Sequence, residues 1–148
     1  GMKKLLLAIT LTCISLSIHA TEKEQDYYEA LKPMASNIYQ RSIVLVESIP
    51  DSYQSYKYQD DKSVWRSNRD ESNSLPNDVE KLGDIWLSPF SSCISLGKSA
   101  GNLWSMSMAN KGQMNPDMFK MYLTAKKDCE NQLNNPPEDK SNLGAVDL

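Results

Sequence analysis

The stretch CISLGKSAGNLW, residues 93–104, places lysine and serine at spacings found in phosphate-binding and nucleophilic sites. Gly97, Lys98 and Ser99 match the end of a phosphate-binding loop, G-x-x-x-x-G-K-[ST], whose glycines let backbone amides approach a phosphate. The first glycine of that pattern is replaced by Ser92, and the preceding residues predict a helix start rather than a strand. The stretch therefore does not predict nucleotide binding.

Ser95 and Lys98 are three residues apart, and a helix brings side chains at that spacing to one side. The pair resembles the Ser-x-x-Lys motif of penicillin-binding proteins and serine β-lactamases, which implies Ser95 as nucleophile and Lys98 as proton acceptor. The resemblance covers four residues, and the Ser-Asp-Asn and Lys-Thr-Gly elements of that family are missing. We interpret Ser95 and Lys98 as solvent-facing polar residues.

Residues 1–20 have the pattern of a bacterial secretory leader, with Gly1 an extra residue ahead of the natural start. Lys3 and Lys4 precede an apolar stretch, residues 5–18, and Ala20 ends a tolerable cleavage site. At 14 residues the apolar stretch is too short for an ordinary membrane span. We expect an exported chain, periplasmic or secreted, with no transmembrane anchor after cleavage.

Cleavage after Ala20 changes the chemistry available to the chain. It removes the one histidine and Cys13, and leaves Cys93 and Cys129, which pair most simply as one disulfide in an oxidising compartment. Without histidine or a free thiol, the mature chain has no Ser-His-Asp triad and no His/Cys zinc site. We assign no catalytic residue, no cofactor and no metal ligand, and leave open the alternative that Cys13 is lipidated.

The charge of the mature chain argues against nucleic-acid binding. Removal of the two leader lysines from 16 basic residues leaves 14 against 19 acidic residues, a net charge of −5. Phosphate backbones are bound by basic patches, and none stands out here. A carboxylate-dependent hydrolase is the weakest alternative, because its candidate acids lie in polar surroundings that favour ordinary pKa values. These acids are Glu22, Glu24, Asp26, Glu29, Asp60, Asp61, Asp70 and Glu71.

Residues 106–121 are rich in methionine, and thioethers suit Cu(I). The stretch Trp104-x-Met106-x-Met108 loosely resembles the aromatic-and-methionine sites of periplasmic copper carriers. On a helix, however, Met106 and Met108 would diverge by about 200°. We interpret the methionines as adaptable packing residues and keep a Cu(I)-binding protein as the alternative function. The five are Met106, Met108, Met114, Met118 and Met121.

The elements that must position these residues are predicted to be helices. An apolar stripe of helical period runs from residue 27 to Ile49, where Pro33 predicts a kink or a fresh start. Residues 51–77 are polar, and we expect only a short helix over 62–69. Asn77 is predicted to cap a helix that continues to Trp86. The stripe is Tyr27, Leu31, Ala35, Ile38, Ser42, Leu45 or Val46, and Ile49.

The last two helices have clear signals. Ser88-Pro89 predicts the start of one that reaches about Asn110, with Gly112 past its end. Asn115-Pro116 predicts the start of the next, which reaches about Leu133. A short connection makes such helices antiparallel and places Cys93 beside Cys129.

Glycine weakens a helix by about 1 kcal/mol relative to alanine, so glycines within the first of these helices suggest close packing. We expect the small residues to face Met118, Tyr122, Ala125, Cys129 and Leu133 of the second helix. The predicted packing residues are Gly97, Ala100, Gly101, Trp104, Tyr122 and Ala125.

We expect an all-α protein of four or five helices, with a single domain over residues 21–133, a disulfide-linked C-terminal antiparallel hairpin and a flexible tail over 134–148. Its predicted function is non-catalytic binding of a macromolecular partner in the cell envelope, of inhibitor or immunity type. The partner is unidentified, and a spare apolar stripe would support a homodimer.

Overall fold

A computed structural model describes the backbone of residues 2–138 and the side chains of residues 22–138. This part of the chain is entirely helical, without a strand, which confirms the predicted all-α class and the number of helices. The helices are α1 (Met2–Glu47), α2 (Ile49–Tyr58), α3 (Ser63–Asp78), a short 3-10 helix (Val79–Leu82), α4 (Ser91–Ala109) and α5 (Pro116–Asn134). Among the described residues, no helix is long and apolar enough to cross a membrane.

Leu31–Asn135 is one compact unit, and it contains α2 to α5 and every site discussed below. The described residues before Leu31 and after Asn135 belong to a second unit. Most of the predicted tail, residues 139–148, lies outside the described residues, as does Gly1.

α1 is continuous from Met2 to Glu47 through Pro33, so the predicted fresh start at Pro33 is wrong. Proline removes one helical hydrogen bond. Pro33 lies on the exposed side of α1, as does Glu29, whose carbonyl loses that bond and can be solvated. The opposite side holds the helix in place through its buried residues Ala35, Ile38, Ser42, Leu45 and Val46. Tyr27 is half-exposed, which corrects its assignment to the buried stripe.

The polar stretch of residues 51–77 forms most of two helices, α2 and α3, rather than the one short helix expected. α2 buries two serines, Ser52 and Ser55, together with Ile49 at its start, and α3 buries Ser72 beside Leu75. Each of these hydroxyls has a hydrogen-bond partner: Ser72 Oγ donates to the carbonyl of Arg69 at 2.7 Å, for example. A stripe of serine has helical spacing but no apolar signal, so hydrophobic periodicity misses it.

Asn77 caps no helix, which corrects a second boundary. It lies inside α3, and the chain continues as the 3-10 helix until Gly83, whose φ of 95° ends it. Of the predicted helix up to Trp86, residues 79–82 are helical as the 3-10 helix, and residues 85–87 form an exposed turn instead.

α4 is the central helix of the unit. It contacts α2, α3, the 3-10 helix and α5, and residues around most of its circumference are buried. It begins at Ser91, three residues after the predicted cap, and Ser88 Oγ accepts a hydrogen bond from the amide of Phe90 at 3.1 Å. After Ala109 the chain turns at Gly112, whose φ is 79° and whose Cα packs against the ring of Tyr53.

Asn115 caps α5 as predicted, because its Oδ1 accepts hydrogen bonds from the amides of Asp117 at 2.9 Å and Met118 at 3.1 Å. The predicted disulfide between Cys93 and Cys129 is also present, and both cysteines are fully buried. Closing a ring over a sequence separation of 36 stabilises the fold by about 4 kcal/mol in the chain-entropy model. Nearby, Gln132 Nε2 donates to Ser91 Oγ at 3.1 Å, which joins the same ends of α4 and α5.

Candidate functional site

The glycines of α4 face α3 and the 3-10 helix rather than α5. A Cβ built on Gly97 would overlap Cγ1 of Val79, and one on Gly101 would lie 2.8 Å from both Pro76 Cγ and the carbonyl oxygen of Ser72. Close packing is therefore the physical reason for both glycines, but the surface they face differs from the predicted one. The sequence pattern predicts one packing stripe on α4, facing α5. In the structure α4 is enclosed on several sides, so its small residues do not all face that helix.

Trp104 lies in the core at the centre of a buried polar cluster. Its Nε1 donates to Ser52 Oγ at 3.1 Å, and Asn68 Nδ2 donates to the same oxygen at 2.9 Å. Ser48 Oγ lies 3.2 Å from it. This arrangement joins α2, α3 and α4 through one hydroxyl, so the role of Trp104 is structural.

Tyr122 and Ala125 are both buried on α5, together with Cys129. Burial is the main cause that raises the pKa of Tyr122 to about 12, with smaller contributions in the same direction from the nearby Glu47 and Tyr39. A phenol held neutral in this way serves packing rather than proton transfer near neutral pH.

Ser95 and Lys98 do not form a catalytic pair in the described structure. Ser95 is half-buried and lines a groove between α4 and α5, whereas Lys98 is exposed and is not among the lining residues. No hydrogen bond joins their side chains within the described part of the chain. The arrangement lacks the contact through which a lysine would activate a serine.

The groove that Ser95 lines has a volume of about 560 Å³. Every residue that α4 contributes is a serine, and α5 contributes a mixture of charged, hydroxyl and apolar side chains. The lining consists of Ser92, Ser95, Ser99, Asp117, Lys120, Met121, Thr124, Ala125 and Asp128.

The acids proposed for a hydrolase are dispersed. Glu71 binds Arg41 Nε at 2.6 Å and Asp78 binds Arg41 Nη2 at 2.9 Å, so one guanidinium engages two carboxylates and links α1 to α3. Hydrogen bonds from Ser63 lower the pKa of Asp61, which is the wrong direction for a general acid at neutral pH. Within residues 22–138, no group of three His, Cys, Asp or Glu side chains could hold a metal ion.

Two methionines line a second cavity, of about 340 Å³, where α4 connects to α5. Met106 lies in the last turn of α4, and Met118 lies in the first turn of α5. The sequence pattern pairs Met106 with Met108 on one helix. The structure instead brings together Met106 of α4 and Met118 of α5. The cavity is lined by Met106, Ala109, Asn110, Gln113, Asn115 and Met118.

Trp86 and Leu87 form an exposed apolar tip between the 3-10 helix and α4. Their side chains are 89% and 82% exposed, respectively. The turn is ordered by Asp84, whose Oδ1 accepts from the amide of Trp86 at 2.7 Å and whose carbonyl accepts from the amide of Ser88 at 2.8 Å. Sequence reasoning missed this tip, although Gly83-Asp84 before it and Ser88-Pro89 after it are strong turn signals.

A third exposed group, the aromatic rings of α2 and α3, is already engaged within the molecule. The rings of Tyr56 and Trp65 lie 5.1 Å apart between centroids. Lys62 Nζ lies 5.5 Å from the ring of Tyr56, and the guanidinium of Arg69 lies 5.0 Å from that of Trp65. These cations cover ring faces that a sugar or base would otherwise stack on.

No protein-family model, curated protein or solved structure matches this chain.

Proposed function

We propose that the protein is exported and binds a macromolecular partner in the cell envelope without catalysing a reaction, as an inhibitor or immunity protein does. The leader-like residues 1–20 support export, and a buried disulfide is typical of oxidising compartments. In this proposal α4 and α5 form an antiparallel hairpin, which is supported by the disulfide and by Gln132 at their joined ends.

The observation that carries the proposal is the tip formed by Trp86 and Leu87. A tryptophan that is 89% exposed loses apolar contact area that a folded protein ordinarily buries. Tryptophan is also the residue most enriched among those that dominate binding energy at protein interfaces. The tip is held by hydrogen bonds to Asp84, so little conformational entropy would be lost when a partner pocket encloses it.

The arrangement of the tip suits insertion into an apolar pocket of a protein. The described chain is acidic overall, and Asp84 borders the tip directly, so a pocket with a basic rim would complement it. An inhibitor or immunity protein has to block a site on its target, and a rigid apolar projection can do so without any reactive group.

The test is site-specific photo-crosslinking from position 86 in cells that produce the protein, with position 44 as the matched control. Val44 is also exposed, at 61%, but it lies on α1 away from the turn residues in sequence. The captured protein is then purified, and its affinity for wild type, Trp86→Ser, Leu87→Ser and Val44→Ser is measured by titration calorimetry.

We expect Trp86→Ser to weaken binding of the captured protein by at least about tenfold, because truncating an anchoring tryptophan commonly costs 2 kcal/mol or more. Val44→Ser should bind as wild type does, and all variants should melt within a few degrees of it. Equal affinity of the Trp86→Ser/Leu87→Ser double variant and wild type would show that the tip is not the binding surface. Stoichiometric loss of the captured protein's activity would establish the inhibitory class.

A further inference from the structure

The cavity between the end of α4 and the start of α5 has an unusual set of donor atoms. Its lining residues include two methionines, Met106 and Met118, and three residues with amide side chains, Asn110, Gln113 and Asn115. None of its lining residues is charged. A cavity made for an acidic or basic ligand would contain an opposite charge, so this lining offers neutral groups only, and the two thioethers are the soft donors among them.

Thioether sulfur is a soft ligand that selects Cu(I) over the common divalent ions. Hard ions such as Mg²⁺ and Ca²⁺ are held in proteins with the help of carboxylates, and none lines this cavity. Zn²⁺ prefers imidazole and thiolate. In the described residues both Cys93 and Cys129 are consumed by the disulfide, so thiolates would not compete for the metal.

The backbone around the cavity is fixed by side-chain hydrogen bonds. Asn115 Oδ1 accepts from the amide of Met118 at 3.1 Å, and Asn110 Nδ2 donates to the carbonyl of Gln113 at 3.1 Å. Gly112, in the same connection, donates its amide to the carbonyl of Ser107 at 2.7 Å. These bonds hold the ends of the two helices in one geometry, while the long methionine side chains remain free to close on an ion.

We propose that Met106 and Met118 together bind one Cu(I) ion at the connection between α4 and α5. The cavity, at about 340 Å³, is larger than an ion, so both thioethers turn inward on binding. Cu(I) accepts a low coordination number, so the two thioethers supply its protein ligands. Two nearby methionines take no part in this site. Met121 lines the separate groove between α4 and α5, and Met108 is not among the residues that line the cavity. This site is separate from the Trp86 tip and does not depend on the proposed partner.

The experiment is an anaerobic Cu(I) titration of the purified, oxidised protein against a chromogenic Cu(I) chelator. Ascorbate keeps the copper reduced without thiols that would attack the disulfide. The variants are Met106→Leu and Met118→Leu, which conserve volume and apolar character, with Met108→Leu and Met121→Leu as matched controls. Thermal melts of all four verify that the fold is intact.

We expect wild type to bind one equivalent, and Met106→Leu and Met118→Leu to bind at least about tenfold more weakly, since removing even an outer-shell partner of a metal costs tenfold or more. The controls should bind as wild type does. A second readout uses Ag(I), the redox-inert analogue, with methyl-labelled methionine. Of the seven methionines, Met106 and Met118 should show the largest shifts of their methyl resonances.

The proposal fails if wild type takes up no Cu(I) from the chelator, or if all four leucine variants bind equally. It also fails if Ag(I) shifts the resonances of Met121 or Met34 as strongly as those of Met106 and Met118, because that result would show unspecific binding to exposed thioethers.

Discussion

Gly97 is the position at which the packing argument can be tested most directly. It lies in the middle of α4, fully surrounded, and a Cβ added there would overlap Cγ1 of Val79 and lie 3.3 Å from Cγ2 of Ile38. Val79 is itself buried and β-branched, so its side chain has little freedom to move aside. The perturbation is Gly97→Ala, with Gly97→Leu as the larger step.

Two opposing contributions set the magnitude. Replacing glycine by alanine inside a helix stabilises it by about 1 kcal/mol. Overpacking a closed core costs about 1 to 3 kcal/mol, so Gly97→Ala should lower the free energy of unfolding by up to about 2 kcal/mol. Gly97→Leu adds three further carbons to the same wall and should cost about 3 kcal/mol or more, which for many small domains prevents folding.

The Val79→Ala background separates overpacking from any other effect of the substitution. Removing Cγ1 of Val79 opens the space that the new Cβ would occupy, so Gly97→Ala in that background should be neutral or stabilising. The double-mutant cycle should therefore give a favourable coupling energy of about 1 to 3 kcal/mol between positions 97 and 79.

Urea unfolding followed by circular dichroism, with the disulfide intact, gives each of these free energies. Lys98→Ala is the neighbouring control, and it should stay within about 0.5 kcal/mol of wild type because Lys98 is exposed. Wild-type stability in Gly97→Leu, or zero coupling between positions 97 and 79, would refute the packing assignment.

Two further predictions concern the buried polar groups. Ser52→Ala should lower the free energy of unfolding by about 2 to 4 kcal/mol, because it leaves both Trp104 Nε1 and Asn68 Nδ2 without their acceptor. Ser99→Ala, on the half-buried wall of the groove, is the control. Equal urea midpoints for the two variants would contradict the structural role of the Ser52 cluster. Tyr122 has a pKa of about 12 in the folded chain against about 10 in the unfolded chain. Because the unfolded chain loses the phenol proton at lower pH than the folded chain does, the contribution of neutral Tyr122 to the free energy of unfolding is complete below pH 10. It is lost as the pH rises towards 12, by up to about 3 kcal/mol. Tyr122→Phe should flatten the decline of stability between pH 10 and 11.5, and an unchanged slope would show that Tyr122 does not ionise on unfolding.

The sequence was sufficient where local chemistry determines structure. Asn115 followed by Pro116 specified the start of α5, Gly112 marked the end of the preceding helix, and the two remaining cysteines specified the disulfide. The cap and the turn are determined by residues within a few positions of each other, and the disulfide follows because no other cysteine remains after the predicted leader. Tertiary context was not needed to predict them.

The sequence was insufficient where tertiary contacts override a local preference. Pro33 predicts an interruption, and burial of the opposite side of α1 keeps the helix continuous. Ser52 is polar, yet it is buried because its hydroxyl finds Asn68 and Trp104 as partners only in the folded chain. The surface that Gly97 and Gly101 face could not be derived, since several helices surround α4 and the sequence does not order them.

The central position of α4 explains why its motif-like residues have structural roles. A helix buried around most of its circumference has few positions left that can change without disturbing the core, and Gly97, Gly101 and Trp104 are all engaged in packing. The exposed and chemically distinctive groups therefore lie where α4 ends. The Trp86 tip precedes it and the Met106–Met118 cavity follows it. Substitutions at these two places should alter partner or metal binding without changing the free energy of unfolding, whereas substitutions at the buried positions of α4, such as Gly97, Gly101 and Trp104, should do the reverse.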